Sequence, residues 1–242
     1  KMFNLYIDSD VNGTYIIEPR DDYYTDDVID WTSKLDTSKD FTIKPEGLLT
    51  VKEINFNYYK NDDDISKVFY ESVGETWRYK RLIFDNDFVK ETKKLELPFI
   101  LEPLQYLSEK EMVLMRTLYN GEGQERSPKP IIAFAGGLLD CKPYRYYDAG
   151  LSTYTTLTQY AYAGFLDTPL DTVANDLCFD TQDIYFHTTP DGLNLPVNGT
   201  LYDKYHYRQW NEIGDRDSKY VECYIKLKPY DITTLDFRKI YW

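Results

Sequence analysis

The 242-residue chain carries 41 acidic against 28 basic residues, a net charge of −13 that repels a phosphate backbone and argues against sequence-specific nucleic acid as its ligand. No apolar run approaches the roughly 20 residues of a membrane-spanning helix, and the opening KMFNLYIDSD carries no apolar signal core. Three widely spaced cysteines, Cys141, Cys178 and Cys223, make neither a disulfide framework nor a paired zinc motif, and read as small core hydrophobes.

In chain order, Phe3 to Ile7 and Tyr15 to Glu18 are short β-rich runs flanking DSDVNG, where Asn12-Gly13 supplies the positive dihedrals of a hairpin turn. Asp21 to Leu35 reads as a loop with one helical turn, pinned by Trp31 while its aspartates stay wet. Strands return at Phe41 to Pro45 and again in LLTVKEINFNYYK, where Ile54, Phe56 and Tyr58 fall on one face, the pattern of a half-buried strand. NDDDISKVF predicts a helix that starts on three aspartates, carries Ile65, Val68 and Phe69 on one side, and closes at Gly74. Trp77 to Phe84 and Phe88 to Phe99 are strand-like, the second with Lys90, Lys93 and Lys94 facing out, and Pro103 marks a domain boundary between residues 1–103 and 104–242.

Ser108 to Leu118 has helical spacing in Met112, Met115 and Leu118, with a Ser108/Glu111 capping box. The polar NGEGQERSPKP that follows predicts a mobile loop. Further strands are expected at Ile131 to Phe134, Tyr144 to Tyr147, Tyr154 to Phe165 and Ile184 to His187, with turns at Gly136-Gly137, Asp148-Ala149-Gly150 and Pro190-Asp191-Gly192. The chain ends in a helix over about Leu201 to Ile213, a strand over Tyr220 to Leu227 stopped by Pro229, a short turn N-capped by Asp231, and an extended run from Phe237 to Trp242. The fold class is mainly β (β-rich α+β), with barrel-like or sandwich units and short helices. Termination at Tyr241-Trp242, apolar and in mid-strand, leads to the expectation that a longer polypeptide surrounds this one.

Chemistry-bearing residues are weighed against plainer roles. Asp8-Ser9-Asp10-Val11-Asn12-Gly13 matches the first half of a calcium loop, but Pro19 stands where the bidentate glutamate belongs, and a solvated hairpin turn is preferred. Asp21-Asp22, Asp26-Asp27 and Asp62-Asp63-Asp64 read as solvated faces or helix starts in preference to a glycosidase-type acid pair or a cation site. His187 and His206 lack partners at metal-ligand spacing, Gly136-Gly137 lacks the helix and lysine of a phosphate loop, and Asn198-Gly199-Thr200 reads as a turn and not a glycan acceptor. No catalytic, cofactor-binding or metal-ligating residues are assigned. With 24 copies, tyrosine suits sheets and subunit interfaces alike, as it does sugar-binding surfaces. Trp31, Trp77, Tyr205 and Trp210 are expected to be packing or interface anchors.

Two stretches carry a resemblance. Lys1 to Ile7, Ile17 to Tyr24, Ile29 to Thr32 and Lys34-Leu35-Asp36 resemble the strand-rich barrel units of tail and baseplate hub proteins of tailed bacteriophages. Leu201-Tyr202, Tyr205-His206, Ile213, Asp215, Ser218, Leu227, Pro229, Asp231-Ile232 and Leu235 to Arg238 are similar to a segment of large tail proteins from phages of Bacteroidetes-type hosts, and Asp176 to Phe179 is a further match. The resemblance implies a non-enzymatic virion protein, assembled in the bacterial cytoplasm as a ring-like homo-oligomer and joined to other tail or baseplate proteins, without cofactor or membrane. The alternative is a carbohydrate- or receptor-binding module of a phage or bacterial surface protein.

Overall fold

The computed structural model describes residues 1–10, 12–45, 51–61, 64–85, 89–115, 129–170, 175–180 and 199–241. Strands dominate, with short helices between them, as expected of a mainly β α+β chain. In order they are β1 (Leu5–Ser9), β2 (Tyr15–Pro19), α1 (Arg20–Tyr23), β3 (Val28–Ile29), β4 (Thr42–Pro45), β5 (Glu53–Asn57), α2 (Asp64–Val73), β6 (Lys80–Ile83), β7 (Thr92–Glu96), β8 (Leu104–Leu107), β9 (Met112–Met115), β10 (Phe134–Asp148), β11 (Thr153–Gly164), α3 (Leu201–Tyr205), α4 (Tyr207–Gly214), β12 (Lys219–Glu222), α5 (Pro229–Thr233) and β13 (Ile240–Tyr241). Five of the sheets among them have two strands, and the sixth runs β6-β5-β7. A barrel needs every strand paired on both edges, and among the described strands only β5 is, so the barrel-like units expected from the sequence do not close. No described helix is long and apolar enough to cross a membrane.

Contacts divide the chain into two compact units: residues 1–54, 82–93 and 205–242 form the first, residues 55–81 and 94–204 the second. Pro103, the expected boundary, lies inside the second unit.

The first unit joins the two ends of the chain, largely through polar groups. β4 pairs antiparallel with β12 and β3 parallel with β13. Around these ladders, Asn4 donates to the Tyr205 carbonyl at 2.9 Å, Arg20 to Glu212 at 2.6 Å, Arg238 to Glu18 at 2.6 Å, and Lys34 to Asp231 at 2.5 Å. Lys226, with help from Ser38, holds the Asp36 carboxyl down at about 2. The β1–β2 hairpin turns where Asn12-Gly13 predicts it, with Gly13 at φ +80°. Two details at the C-terminal end depart from expectation. The helix breaks at His206 into α3 and α4. Asp231 sits at the third position of α5, with Pro229 first, and its carboxylate reaches back to accept the Lys228 amide at 2.9 Å.

The second unit holds most of the buried apolar side chains. Phe56, Tyr58, Leu97, Leu104, Val113, Tyr160, Phe165, Leu166, Phe179 and Leu201 are all buried in it. β5 is buried on both faces and not on one: Phe56 meets the Phe179 and Tyr202 rings, and on the other face the Asn55 and Asn57 side chains donate to Glu75. α2 ends at Gly74, whose φ of +82° permits the amide to bond back to the Tyr70 carbonyl at 2.7 Å. The expected helix at Ser108 is instead the β8–β9 hairpin: Met112, Val113 and Met115 are all buried, and Glu111 takes a left-handed φ of +52° in the turn. Gly136-Gly137 is no turn either, but a bulge within the continuous strand β10, with Gly137 at φ +70°. Asp148 does make the expected turn, accepting the amides of Gly150 and Leu151. The expected features at residues 120–128, Ile184 to His187 and Pro190-Asp191-Gly192, together with Asp62, Asp63, Phe88, Leu118 and Trp242 and the side chains of Ile65 and Val68, lie outside the described residues.

β11 ends where a glycine is needed for close packing. A Cβ on Gly164 would sit 2.5 Å from the Tyr162 hydroxyl and 2.9 Å from Leu104 Cδ2. Replacing Gly164 by Ala therefore forces buried side chains apart and is expected to cost about 1–3 kcal/mol in denaturant unfolding, whereas Gly150→Ala, in an exposed turn where the nearest neighbour is the Asp148 carboxylate, is expected to cost much less.

Candidate functional site

Three groups of side chains stand out: the acidic turns, a buried charged cluster in the second unit, and the exposed apolar faces of the two-stranded ribbons.

The acidic turns are engaged with their own backbone. Asp10 Oδ1 accepts the amides of Asn12 at 2.9 Å and Thr14 at 2.7 Å, and these bonds, the Thr14 one foremost, lower its pKa. Asp8 accepts the Ser9 amide and, at 3.0 Å, the Tyr23 hydroxyl. The half-matched calcium loop is thus a hairpin turn with Asx bonds. Asp21 lies 3.3 Å from Arg20, and Asp27 3.8 Å from Lys239. Among the described residues no group of three or more His, Cys, Asp and Glu side chains is arranged to hold a metal.

The buried cluster centres on Arg78. Its guanidinium lies 2.6 Å from Asp176, both side chains are fully buried, and it also donates to the Asp180 carbonyl and stands over the Phe165 ring at 5.0 Å. Asp176 in turn accepts the Cys178 amide at 2.9 Å. Burial raises both the Cys178 thiol and the Tyr58 hydroxyl well above their ordinary values, so each stays protonated at neutral pH; the Tyr58 hydroxyl donates to the Leu177 carbonyl at 3.0 Å. The arrangement ties the 176–180 segment to Arg78, itself held at φ +53°. An adjoining cleft of about 290 Å³ is lined by Phe69, Trp77, Arg78, Tyr79, Lys80, Arg81 and Asp180, and since the Arg78 side chain is enclosed, the charge facing the cleft comes from the other three ionic residues.

The remaining singled-out aromatic residues pack against other rings. Trp31 lies 4.2 Å from the Tyr241 ring under Lys34, Trp77 meets Phe69 edge-on at 5.1 Å, Tyr205 meets Phe3 at 5.4 Å and Trp210 faces Phe84 at 6.3 Å. The Thr200 hydroxyl bonds Asp203 at the start of α3, which gives the residue of the Asn198-Gly199-Thr200 motif a capping role; Asn198 and His187 lie outside the described residues. Of the cysteines, only Cys178 is a core hydrophobe; Cys141 is half-buried and Cys223 exposed.

The ribbons expose apolar side chains. On β1–β2 the register pairs Leu5 with Pro19, Ile7 with Ile17 and Ser9 with Tyr15, so Leu5, Ile7, Tyr15 and Ile17 share one face, and all four are exposed, Ile7 to 71 % and Tyr15 to 78 %. The opposite face is covered, with Tyr6 stacked on Tyr23 at 5.1 Å. β4–β12 exposes the cross-strand pair Ile43 and Val221, and β3–β13 the pair Val28 and Ile240. Among the described residues the first unit has nineteen exposed large apolar side chains against three buried ones, Met2, Tyr23 and Ile54. That ratio is the reverse of a self-sufficient core.

Two predictions follow from the buried groups. Arg78→Met leaves Asp176 enclosed without its partner and is expected to cost about 3–5 kcal/mol in urea unfolding, part of which the double replacement with Asp176→Leu recovers. His206 is buried and donates from Nε2 to the Met2 carbonyl at 3.2 Å; burial lowers its pKa from 6.5, against the opposing pull of that bond. The unfolded chain then takes up a proton at a higher pH than the folded one does, so stability is full above about 6.5 and falls as the pH drops through the folded value. Thermal unfolding against pH is expected to show this slope, and His206→Gln to flatten it. Comparison with protein-family models, with curated proteins and with solved structures finds no match to this chain.

Proposed function

We propose that this chain is a structural component of a phage tail or baseplate hub, working by assembly with copies of itself and with other tail proteins, and not by catalysis. The observation that carries the proposal is the first unit, where among the described residues far more large apolar side chains are exposed than buried, about half of them on its short strands. Such side chains are stabilised by burial against a neighbour, which is how subunits of cyclic assemblies hold together. A second observation agrees with it. The two stretches that resemble phage tail proteins, at opposite ends of the sequence, fall in this same unit but for Leu201-Tyr202, and side chains join them: Asn4 to the Tyr205 carbonyl, Lys34 to Asp231 and Arg238 to Glu18.

The rival reading, a carbohydrate- or receptor-binding module, draws on the exposed tyrosines at the tip of β10–β11, where Tyr147 and Tyr154 lie 5.1 Å apart at a 56° tilt, with Tyr146 exposed on the opposite face. Edge-on and tilted rings meet side chains more readily than they present the flat platform a sugar ring stacks on, which favours the assembly reading.

Sedimentation of the full chain over a wide concentration range tests the proposal. Mass rising well above the 28.7 kDa of one copy is expected. A single 28.7 kDa species throughout, with saturable retention on a glycan array, would replace assembly with the binding-module reading.

A further inference from the structure

Residues 1–4 lie as a strap on residues 205–209 of the first unit, and four contacts seat them there. The Met2 carbonyl accepts from His206 Nε2 at 3.2 Å, Phe3 meets the Tyr205 ring edge-on at 5.4 Å, and the Asn4 carboxamide donates to the Tyr205 carbonyl and to Gln209 Oε1, each at 2.9 Å. Asn4 takes a left-handed φ of +47° in making this turn, and its carbonyl accepts the Arg20 amide at 3.0 Å. Met2 and His206 are both buried, and His206 stands at the break that precedes α4.

Imidazole is the side chain whose ordinary titration falls near neutral pH, and this ring has little around it to support a charge. The Lys1 amino group opposes a charge on it, and Asp21 of α1 favours one. Asp21, however, lies 3.3 Å from Arg20, and Arg20 and Arg208 both pair with Glu212 of α4. Asp22 on α1 is exposed, and Asp203 and Lys204, just ahead of the ring in sequence, bond Thr200 and Asn175. A proton on His206 therefore puts a charge in an enclosed position, which is costly until water reaches it. Lifting four residues is the smallest opening that admits water, since the ladders β4–β12 and β3–β13 are built from other residues and need not break.

We propose that residues 1–4 are an acid-released strap: a proton taken up by His206 lifts Met2, Phe3 and Asn4 from residues 205–209 while the rest of the chain keeps its fold. The event is a local opening that precedes any loss of the whole structure in acid, and it needs neither a partner nor the assembly reading.

Methionine oxidation reads the strap in the unmodified chain. A thioether has no proton to lose, so its reaction with dilute peroxide does not itself follow pH in this range. The chain has three methionines, Met2 in the strap and Met112 and Met115 buried in the second unit. Peptide mass spectrometry after brief exposure is expected to show Met2 oxidation slow and level above pH 6.5, the ordinary value for the imidazole, and faster below it by at most about tenfold per pH unit, the most that one proton carries. Met112 and Met115 are expected to stay slow throughout. His206→Gln keeps a donor for the Met2 carbonyl but takes up no proton, and is expected to hold Met2 oxidation slow at every pH. Asn4→Ala, which removes both carboxamide bonds, is expected to speed Met2 oxidation throughout and to retain its dependence on pH. The His206 ring resonances of the wild type are expected to titrate over the same range as Met2 oxidation. Wild-type Met2 oxidation that is flat with pH, that rises only together with Met112 and Met115, or that departs from the His206 titration would overturn the proposal. So would an equal rise in His206→Gln, or wild-type rates in Asn4→Ala.

Discussion

A two-stranded antiparallel ribbon has two faces and two open edges, and a protomer built mostly from such ribbons cannot cover them all. That constraint governs the first unit. Apart from its residues of β5, β6 and β7, its strands are short and form three separate pairs, and among the described residues only Met2, Tyr23 and Ile54 of its large apolar side chains are buried. Burial of apolar surface contributes roughly 25 cal/mol per Å², and here nineteen of the described large apolar side chains leave a sizeable part of theirs in solvent. What ties the unit together within one copy is largely polar, the ladders β4–β12 and β3–β13 and the ion pairs of Arg20, Lys34, Lys226 and Arg238, joined by a few ring contacts such as Trp31 with Tyr241 and Phe3 with Tyr205. Exposed ion pairs contribute little each, about 0–1 kcal/mol, and their value here is to fix which segments lie together.

The second unit solves the same problem differently. β5 lies between two neighbours, and Phe56, Phe179 and Tyr202 meet ring to ring in a packed interior. Into that interior it admits one buried ion pair, Arg78 with Asp176, whose desolvation is offset only while both partners and their hydrogen bonds are present. Such a pair fixes the path of the 176–180 segment more than it adds to stability. From this packed base the β10–β11 arm extends, carrying apolar residues that the base does not cover. The second unit therefore has a packed base and an exposed hairpin, and the first a set of open ribbon faces, features that fit the proposed assembly.

Much of this was legible in the sequence where local chemistry decides the structure. Asn12-Gly13 marks the β1–β2 turn, Gly74 the end of α2 and Asp148 the turn of the long hairpin, because each depends on one residue's dihedral freedom or side-chain reach. Reading failed where a local pattern admits two outcomes. Met112 and Met115 are spaced for a helix, and Ser108 and Glu111 mimic its cap, but a four-residue apolar run buried on nearly every side chain is equally a strand, and pairing with Leu104 to Leu107 decided it. Gly136-Gly137 has the composition of a turn and the structure of a bulge, since the long-range pairing to β11 carries the strand through. Asn55 and Asn57 look like the wet side of a strand and are buried because Glu75 supplies their partner. The Arg78–Asp176 pair joins residues far apart in sequence, and no local pattern announces it. The aromatic anchors were visible by composition, but the ribbon faces became visible only once the register placed Ile7 opposite Ile17.

The central claim is that the apolar faces left open in one copy are covered by others. Amide hydrogen exchange measured on the full chain at increasing protein concentration tests it most directly. The account predicts that amides of β1, β2, β10 and β11 gain protection as concentration rises while those of β5, already enclosed, do not change. Exchange in all five strands that is independent of concentration would contradict it.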